Sequence, residues 1–546
     1  MARLISLLAL VLATALGYLY FPGHHYLQQD TQIWLPVLAH AQDPSLFRQE
    51  LIVTGAHVRL TIFDDVTLGL VRVLGISIET ALAAQQLLFR FLALCGVWLL
   101  ARATGLSQVA SVLAAAICGM GATIIGPAVL TVEYEPVPRG FAFGLTLFAL
   151  GLMAHQRYLW SGLALGLAFA YHAPAVWPVL LVAGFAFWRA KKSARSAQWP
   201  ALWGFMALVV LLGLSALLSD DGPMNPLFAR LSAGHAELQR MRATYNWITL
   251  WANPRVWIQQ YVVLTLLAAA AFWRLRKALP AAVRPYFAAL PVIGLLSMPL
   301  SYLLSEQAQL AVMPQVQIMR SLIFTLMVAV ILTVLAGLRA ANQGSWWEAP
   351  LWLAPAFLVP MAPVWTGKSA VVYLVAVALA LAAALAMVIE KRHPRMAMAG
   401  AALAMAGCFF APGALAKVRN YSVLGDADLD GLVTWARAHT QKDDVFLFRD
   451  SGTRNEPGMF RARALRAVYV DWKGGGQVNY YEFYATEWWS RWQRAVKPPF
   501  RAPEWAAELP ALRAAGVRYL VFRKAPPGME SEAVFESKGY RVYRLE

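Results

Sequence analysis

From the N-terminus to about residue 413, long apolar runs alternate with short polar breaks, and each run is long enough to carry a helix across a bilayer or to pair short within a bundle. Thirteen runs are read, near 4–21, 80–101, 108–130, 140–155, 160–171, 174–188, 201–218, 256–274, 286–304, 318–338, 350–364, 369–389 and 395–413. Between 161 and 188 a single tilted helix competes with two. Arg157 stands before this stretch, and Arg189, Lys191, Lys192 and Arg195 follow it. Basic residues favour the cytoplasmic side, so a hairpin is predicted, turning at Tyr171-His172-Ala173-Pro174.

The same rule places Arg102, the Arg274 to Lys277 cluster and Lys391 to Arg395 inside. The N-terminus is then expected to be cytoplasmic and the chain from about Leu415 outside, which is the periplasm if the cell is Gram-negative. The first run could pass for a signal peptide, but Phe-Pro-Gly-His-His is a poor cleavage site, and a retained span is expected. Polar loops gather on the outer side: 22–78, 131–139, 219–255 and 305–314. In the first of them Phe63, Val66, Leu70 and Val73 recur at helical steps, with Arg59, Asp65 and Arg72 elsewhere around the turn. That pattern predicts a helix lying along the membrane surface.

The pattern changes after about Leu424. Helices are predicted over Asp428–His439, Val478–Val496, Pro503–Ala515 and Ser531–Lys538, and strands over Val445–Phe448, Ala467–Val470, Val517–Phe522 and Tyr540–Leu545. Alternation of this kind predicts a small α/β unit with a partly parallel sheet. Residues 1–414 are accordingly read as a membrane domain and 415–546 as an extracytoplasmic one. Gly474-Gly475-Gly476 lacks nucleotide-fingerprint spacing and is expected to be a mobile loop.

Composition adds constraints. With 59% hydrophobic and 14% charged residues the chain is not an ordinary soluble globule. Its formal charge of +17 lies mainly between apolar runs, so topology explains it better than nucleic acid does. Cys95, Cys118 and Cys408 each fall inside a run, and no disulfide or cysteine metal site is implied.

A few polar residues stand out. Asp30 follows the first span closely; partial desolvation there would raise its proton affinity and make it a usable base, whereas the bland reading is a cap on a helix starting at Thr31. Glu133 and Glu135 flank Tyr134, a spacing suited to a divalent cation or a sugar, or to a solvated pair balanced by Arg139. Arg139 on the outer side runs against the positive-inside bias and hints at a phosphate partner. His172 is either a packing residue or a catalytic one. Arg320, in Gln315 to Ser321, can make a two-pronged phosphate contact or simply snorkel to the headgroups. Arg90 falls near mid-span and requires a partner.

Over nearly its whole length the chain resembles the type C membrane glycosyltransferases. The resemblance rests on Asp30 opening a long first outer loop, on Asp43-Pro44-Ser45-Leu46-Phe47, on His172-Ala173-Pro174 and on Gln317-Ile318-Met319-Arg320. In the tail, Phe460-Arg461, Val470-Asp471-Trp472-Lys473 and Glu487 to Arg494 are similar to a bacterial branch of the same superfamily. Where relatives carry a second loop acid after Leu-Phe, this chain has Glu50, a departure in length. The resemblance implies an inverting transfer of sugar from a polyprenyl-phosphate donor to a glycan, lipid or protein acceptor. Asp30 would be the base, and Arg320, with Arg139 or His172, would stabilise the leaving phosphate. Glu50, Glu133, Glu135, Gln317 and Lys473 would complete the substrate-binding set. Lys473 has an inter-domain salt bridge as its alternative. A divalent cation, Mg or Mn, is implied only if the chain follows the metal-using branch. Two other functions stay open: a transporter or lipid carrier on this scaffold, and a non-catalytic envelope-assembly protein.

Overall fold

The computed structural model describes residues 2–55, 61–124, 129–190, 192–218, 229–361, 370–390, 392–416, 426–496, 506–524 and 532–545. Parts of the expected 350–364 and 369–389 runs, Arg59, Lys191, Lys391, the link around 417–425 and residues 503–505 and 531 of two predicted tail helices lie outside these.

A helix occupies each of the thirteen expected runs. Among the described residues five helices are long and apolar enough to cross a membrane: Ile78–Ala103, Pro254–Leu275, Arg284–Gln307, Met313–Asn342 and Pro394–Ala411. Shorter apolar helices accompany them. Local signals explain the starts. Ser77 and Ser107 cap with their hydroxyls, accepting from the Thr80 and Ala110 amides, and Pro138 and Pro254 open their helices at a position that needs no amide hydrogen.

Helix Leu322–Asn342 is apolar all round and almost wholly buried, as its central place requires. Helix Ile78–Ala103 meets Pro138–Ala154 through glycines. A Cβ at Gly96 would stand 2.3 Å from the Leu147 oxygen, and one at Gly144 would stand 2.6 Å from the Phe89 oxygen. Small residues let these backbones touch, which is how membrane helices gain packing without a hydrophobic drive. Helix Lys192–Leu218 runs parallel to Tyr158–His172, with Gly162 against Ala201 and Gly166 against Leu208. The intervening helix Trp177–Arg189 must therefore run back, as in the expected hairpin, though it splays away to pack on Arg284–Ser301.

One run departs from expectation. Helix Gln108–Gly119 stops eleven residues short of the predicted end, because Gly121 takes a left-handed conformation (φ 73°). Two short antiparallel strands follow, β1 (Thr123–Ile124) and β2 (Val129–Leu130). The amphipathic helix Phe63–Leu74 forms, burying Phe63, Thr67, Leu68 and Val71 while Val73 stays 82% exposed.

The C-terminal sheet contains β3 (Val445–Phe448), β4 (Ala467–Val468), β5 (Val517–Phe522), β6 (Phe535–Glu536) and β7 (Arg541–Arg544), in the order β4-β3-β5-β7-β6. The first three are parallel and the last two antiparallel. Alternate residues face opposite layers: Leu447 and Leu520 meet helix Glu482–Ala495, and Phe446 and Val521 meet Ala427–His439 and Glu456–Ala464. Three expectations are corrected. Residues 535–536 are a strand, since the Ser537 hydroxyl accepts from the Gly539 and Tyr540 amides and turns the chain. The single helix expected from Val478 splits into a 3₁₀ segment, Gly474–Asn479, and Glu482–Ala495. Gly474 and Gly475 are packed instead of mobile: a Cβ on Gly475 would fall 2.3 Å from the Trp488 ring.

Helix Thr31–Gln42 belongs to both halves. Leu38 joins the core of the helical body, while Ile33 and Leu35 join the two apolar layers beside the sheet.

Candidate functional site

Asp30 stands at the N-terminus of helix Thr31–Gln42, but its side chain caps nothing. Glu135 anchors the turn before that helix from another loop. Its two oxygens accept from the Gln29 amide (2.7 Å), the Asp30 amide (2.6 Å) and the Thr31 hydroxyl (2.9 Å), so Asp30 is held by its backbone and its carboxylate is left to face outward.

That carboxylate, one quarter exposed, meets two cations. Oδ1 pairs with Lys473 Nζ at 2.7 Å, and Oδ2 with Arg139. Burial pushes the Asp30 carboxyl up, but the charges and hydrogen bonds of Arg139 and Lys473 outweigh it and hold the group well below the usual carboxylate range. The expected rise in its proton affinity is thus reversed, because desolvation came with two positive partners.

Arg139, in the first turn of Pro138–Ala154, also binds the Glu133 carboxylate. Lys473 further donates to Gln29 Oε1 at 3.1 Å. A cavity of about 370 Å³ opens against Glu133, Arg139, Phe143 and Arg320. The Arg320 guanidinium has no hydrogen bond or ion pair among the described residues, and Asp30, Arg139, Tyr245 and Tyr480 lie within its electrostatic reach. His172 Nδ1 is buried without a hydrogen-bond partner among the described residues, within reach of Arg320 and Arg139. Arg242 packs over the Trp472 ring and donates to the Trp472 carbonyl at 2.9 Å. Cations outnumber acids here, as an anion site requires.

A second, larger cavity of about 810 Å³ shares Glu133. Apart from Arg90, Gln86, Glu133 and Glu135 at its polar end, its wall is mainly apolar, running through Ala93, Val97, Leu147 and Val330 between the helices. Arg90 finds its partners in the carbonyls of Gly17, Gly23 and Glu133.

Asp30, Glu133, Arg139 and Lys473 are therefore in direct contact, with Arg320 and His172 beside them and Glu135 supporting from behind. Two expected residues sit elsewhere. Gln317, in a left-handed conformation, lines a different pocket with Gln239, Asn246 and Ser305. Glu50 is 2% exposed and spends both oxygens inside the junction with the tail, on Arg461 and on the Val468 amide; burial pushes its carboxyl up. The donor set does not fit a divalent cation. Glu133 faces a guanidinium and Glu135 a helix end, and among the described residues no three His, Cys, Asp or Glu side chains gather.

Arg242, Tyr245 and Tyr480 were not anticipated. Their one signal was that the loops bearing them were assigned to the Asp30 side.

A helical membrane body with a long first loop and an α/β tail is a fold that solved structures share. The chain is similar over 100% of its length, and 97% of the other, to ArnT from Cupriavidus metallidurans bound to undecaprenyl phosphate, with a TM-score of 0.50 and 13% identity. It is also similar to the arabinofuranosyltransferase AftD from Mycobacteria, over 100% of this chain and 40% of that one, with a TM-score of 0.45 and 15% identity. Residues 427–495 match a domain of unknown function, DUF6798. No curated protein matches the sequence significantly.

Proposed function

We propose that the protein moves a sugar from a polyprenyl-phosphate donor to a glycan, lipid or protein acceptor at the outer face of a bacterial inner membrane. Residues 1–414 would form the membrane domain and 415–546 a periplasmic one. The observation that carries this reading is that Arg139 and Lys473, from distant parts of the chain, pair with one carboxylate, while Arg320 lines a cavity with Arg139 and a larger, mainly apolar cavity adjoins it.

The donor phosphate would lie among those three cations, with its first isoprene units in the larger cavity. Arg139 and Lys473 now neutralise Asp30; an arriving phosphate competes for them, and the released Asp30 recovers its proton affinity. Donor binding would thus switch on the base. The acceptor hydroxyl oxygen then attacks the anomeric carbon, its proton passes to Asp30, and the bond from that carbon to the phosphate oxygen breaks with inversion. The electron pair stays on the phosphate, where the cations stabilise it. His172 sits where it can add to that stabilisation.

The test uses the purified full chain and an undecaprenyl-phosphate-linked sugar, with release of undecaprenyl phosphate as the readout. Asp30→Asn should lower turnover by at least about a hundredfold, the scale of a lost general base, while binding of undecaprenyl phosphate persists. Equal turnover in the variant would overturn the assignment of the base. Absence of binding in the native protein would overturn the substrate class.

A further inference from the structure

Arg461 lies in helix Glu456–Ala464 of the tail, and its side chain is 0% exposed. It reaches three segments at once. Nη1 donates to Asp471 Oδ1 at 2.9 Å and to Glu50 Oε1 at 3.3 Å, and Nη2 donates to the Gln32 carbonyl at 3.2 Å. Gln32 is two residues beyond Asp30, and Asp471 is two residues before Lys473. The guanidinium thus ties the helix that carries the acid to the turn that carries its lysine.

The neighbours reinforce the turn. Asp471 Oδ1 also accepts from the Gly474 amide at 3.3 Å, its carbonyl accepts from Trp488 Nε1 at 2.9 Å, and Glu50 Oε2 accepts from the Val468 amide at 2.8 Å. As a source of stability this cluster is poor. Arg461 Nε and Asp471 Oδ2 have no hydrogen-bond partner among the described residues, and a buried ionic group that is only partly satisfied usually yields less than an apolar core of the same volume. What such a cluster does supply is register between segments.

We infer that Arg461 is a positioning residue that sets the Lys473 turn in register with Asp30, so that the docked tail completes the site. The consequence for phosphate binding rests on the function proposed above; the positioning itself does not, and its first readout needs no substrate.

Amine labelling of the intact chain in detergent, read by mass spectrometry, follows Lys473 directly. In the native protein Lys473 should label slowly beside the exposed Lys442. Arg461→Met should raise the Lys473 rate about fivefold or more, within the range of coupling between contacting residues. Asp471→Asn, a milder change, should do the same if Arg461→Met does not accumulate. Arg466→Met is the control, because Arg466 is 6% exposed and among the described residues bonds only within the tail, at Thr440, Ala436 and their neighbours. Unchanged Lys473 protection in both test variants would overturn the inference. So would equal exposure in Arg466→Met at a matched loss of melting temperature.

Affinity for undecaprenyl phosphate gives the second readout. Lys473→Ala and Arg461→Met should weaken it by the same factor, and the double variant should be no weaker than either, which a general loosening of the fold would not produce. Lost protection with unchanged affinity would keep the positioning role and remove Lys473 from the phosphate site.

Discussion

Asp30 shows how far a residue's chemistry depends on what is brought to it. Position in the chain placed it at an interface, where desolvation favours the neutral acid. The folded protein sets Arg139 and Lys473 against it, and their charges win. Because the folded group binds its proton more weakly than the unfolded one, its stabilising contribution is present above the unfolded value of about 3.9 and is lost as pH falls below it. His24 moves differently. Its Nδ1 hydrogen is directed at Gln86 Oε1 (2.5 Å), since the Gln86 amide nitrogen already donates to the Glu133 and Tyr134 carbonyls, and burial pulls the imidazole down to about 4. The unfolded chain then binds the extra proton first, so stability rises with pH. The contribution is fully present above pH 6.5 and falls away toward pH 4, by about 3 kcal/mol. Melting temperatures at pH 4.5 and 7 should differ less in His24→Gln than in the native protein; an unchanged difference would mean that His24 is not the group responsible.

Among the elements, helix Thr31–Gln42 depends on a residue more than a hundred positions away. Glu135 accepts from the Gln29 and Asp30 amides and from the Thr31 hydroxyl, and so fixes the turn that presents Asp30 ahead of the helix. Glu135→Gln keeps the shape but offers one oxygen to three donors, so at least one buried donor goes unmet. A loss of about 1–3 kcal/mol should follow, read as a lower melting temperature, with weaker lipid binding because Asp30 is no longer held. A variant as stable as the native protein would show that these bonds are dispensable. Helix positions were legible because apolar runs of this length have few other uses. The early end at Gly119 and the strand at Phe535–Glu536 were not. The first follows from a glycine whose left-handed backbone only neighbours make necessary, and the second from pairing with β7, a partner that local propensity does not encode.

For the molecule as a whole, the reading requires that Asp30 and the tail lie on one side and the helix ends bearing Arg102, Arg274 and Arg339 on the other. Contacts group the latter together: Arg339 donates to the Thr104 carbonyl at 2.8 Å, Arg274 pairs with Glu348 at 2.8 Å, and Ser107 bonds Glu390. A cysteine replacing exposed Lys538 should react in intact cells with a thiol reagent that crosses the outer but not the inner membrane. One replacing Lys277 should react only after lysis, and the reverse pattern would invert the topology. The native cysteines lie in membrane helices and interfere little. The sequence alone determined the apolar helical body and the α/β tail, because hydropathy and charge act locally and add along the chain. Only the tertiary structure decided that Lys473 reaches Asp30, that Glu135 anchors the turn bearing Asp30, and that Glu50 is consumed by Arg461. Those outcomes turn on ångström-scale meetings between segments hundreds of residues apart, and hydropathy carries no record of distance.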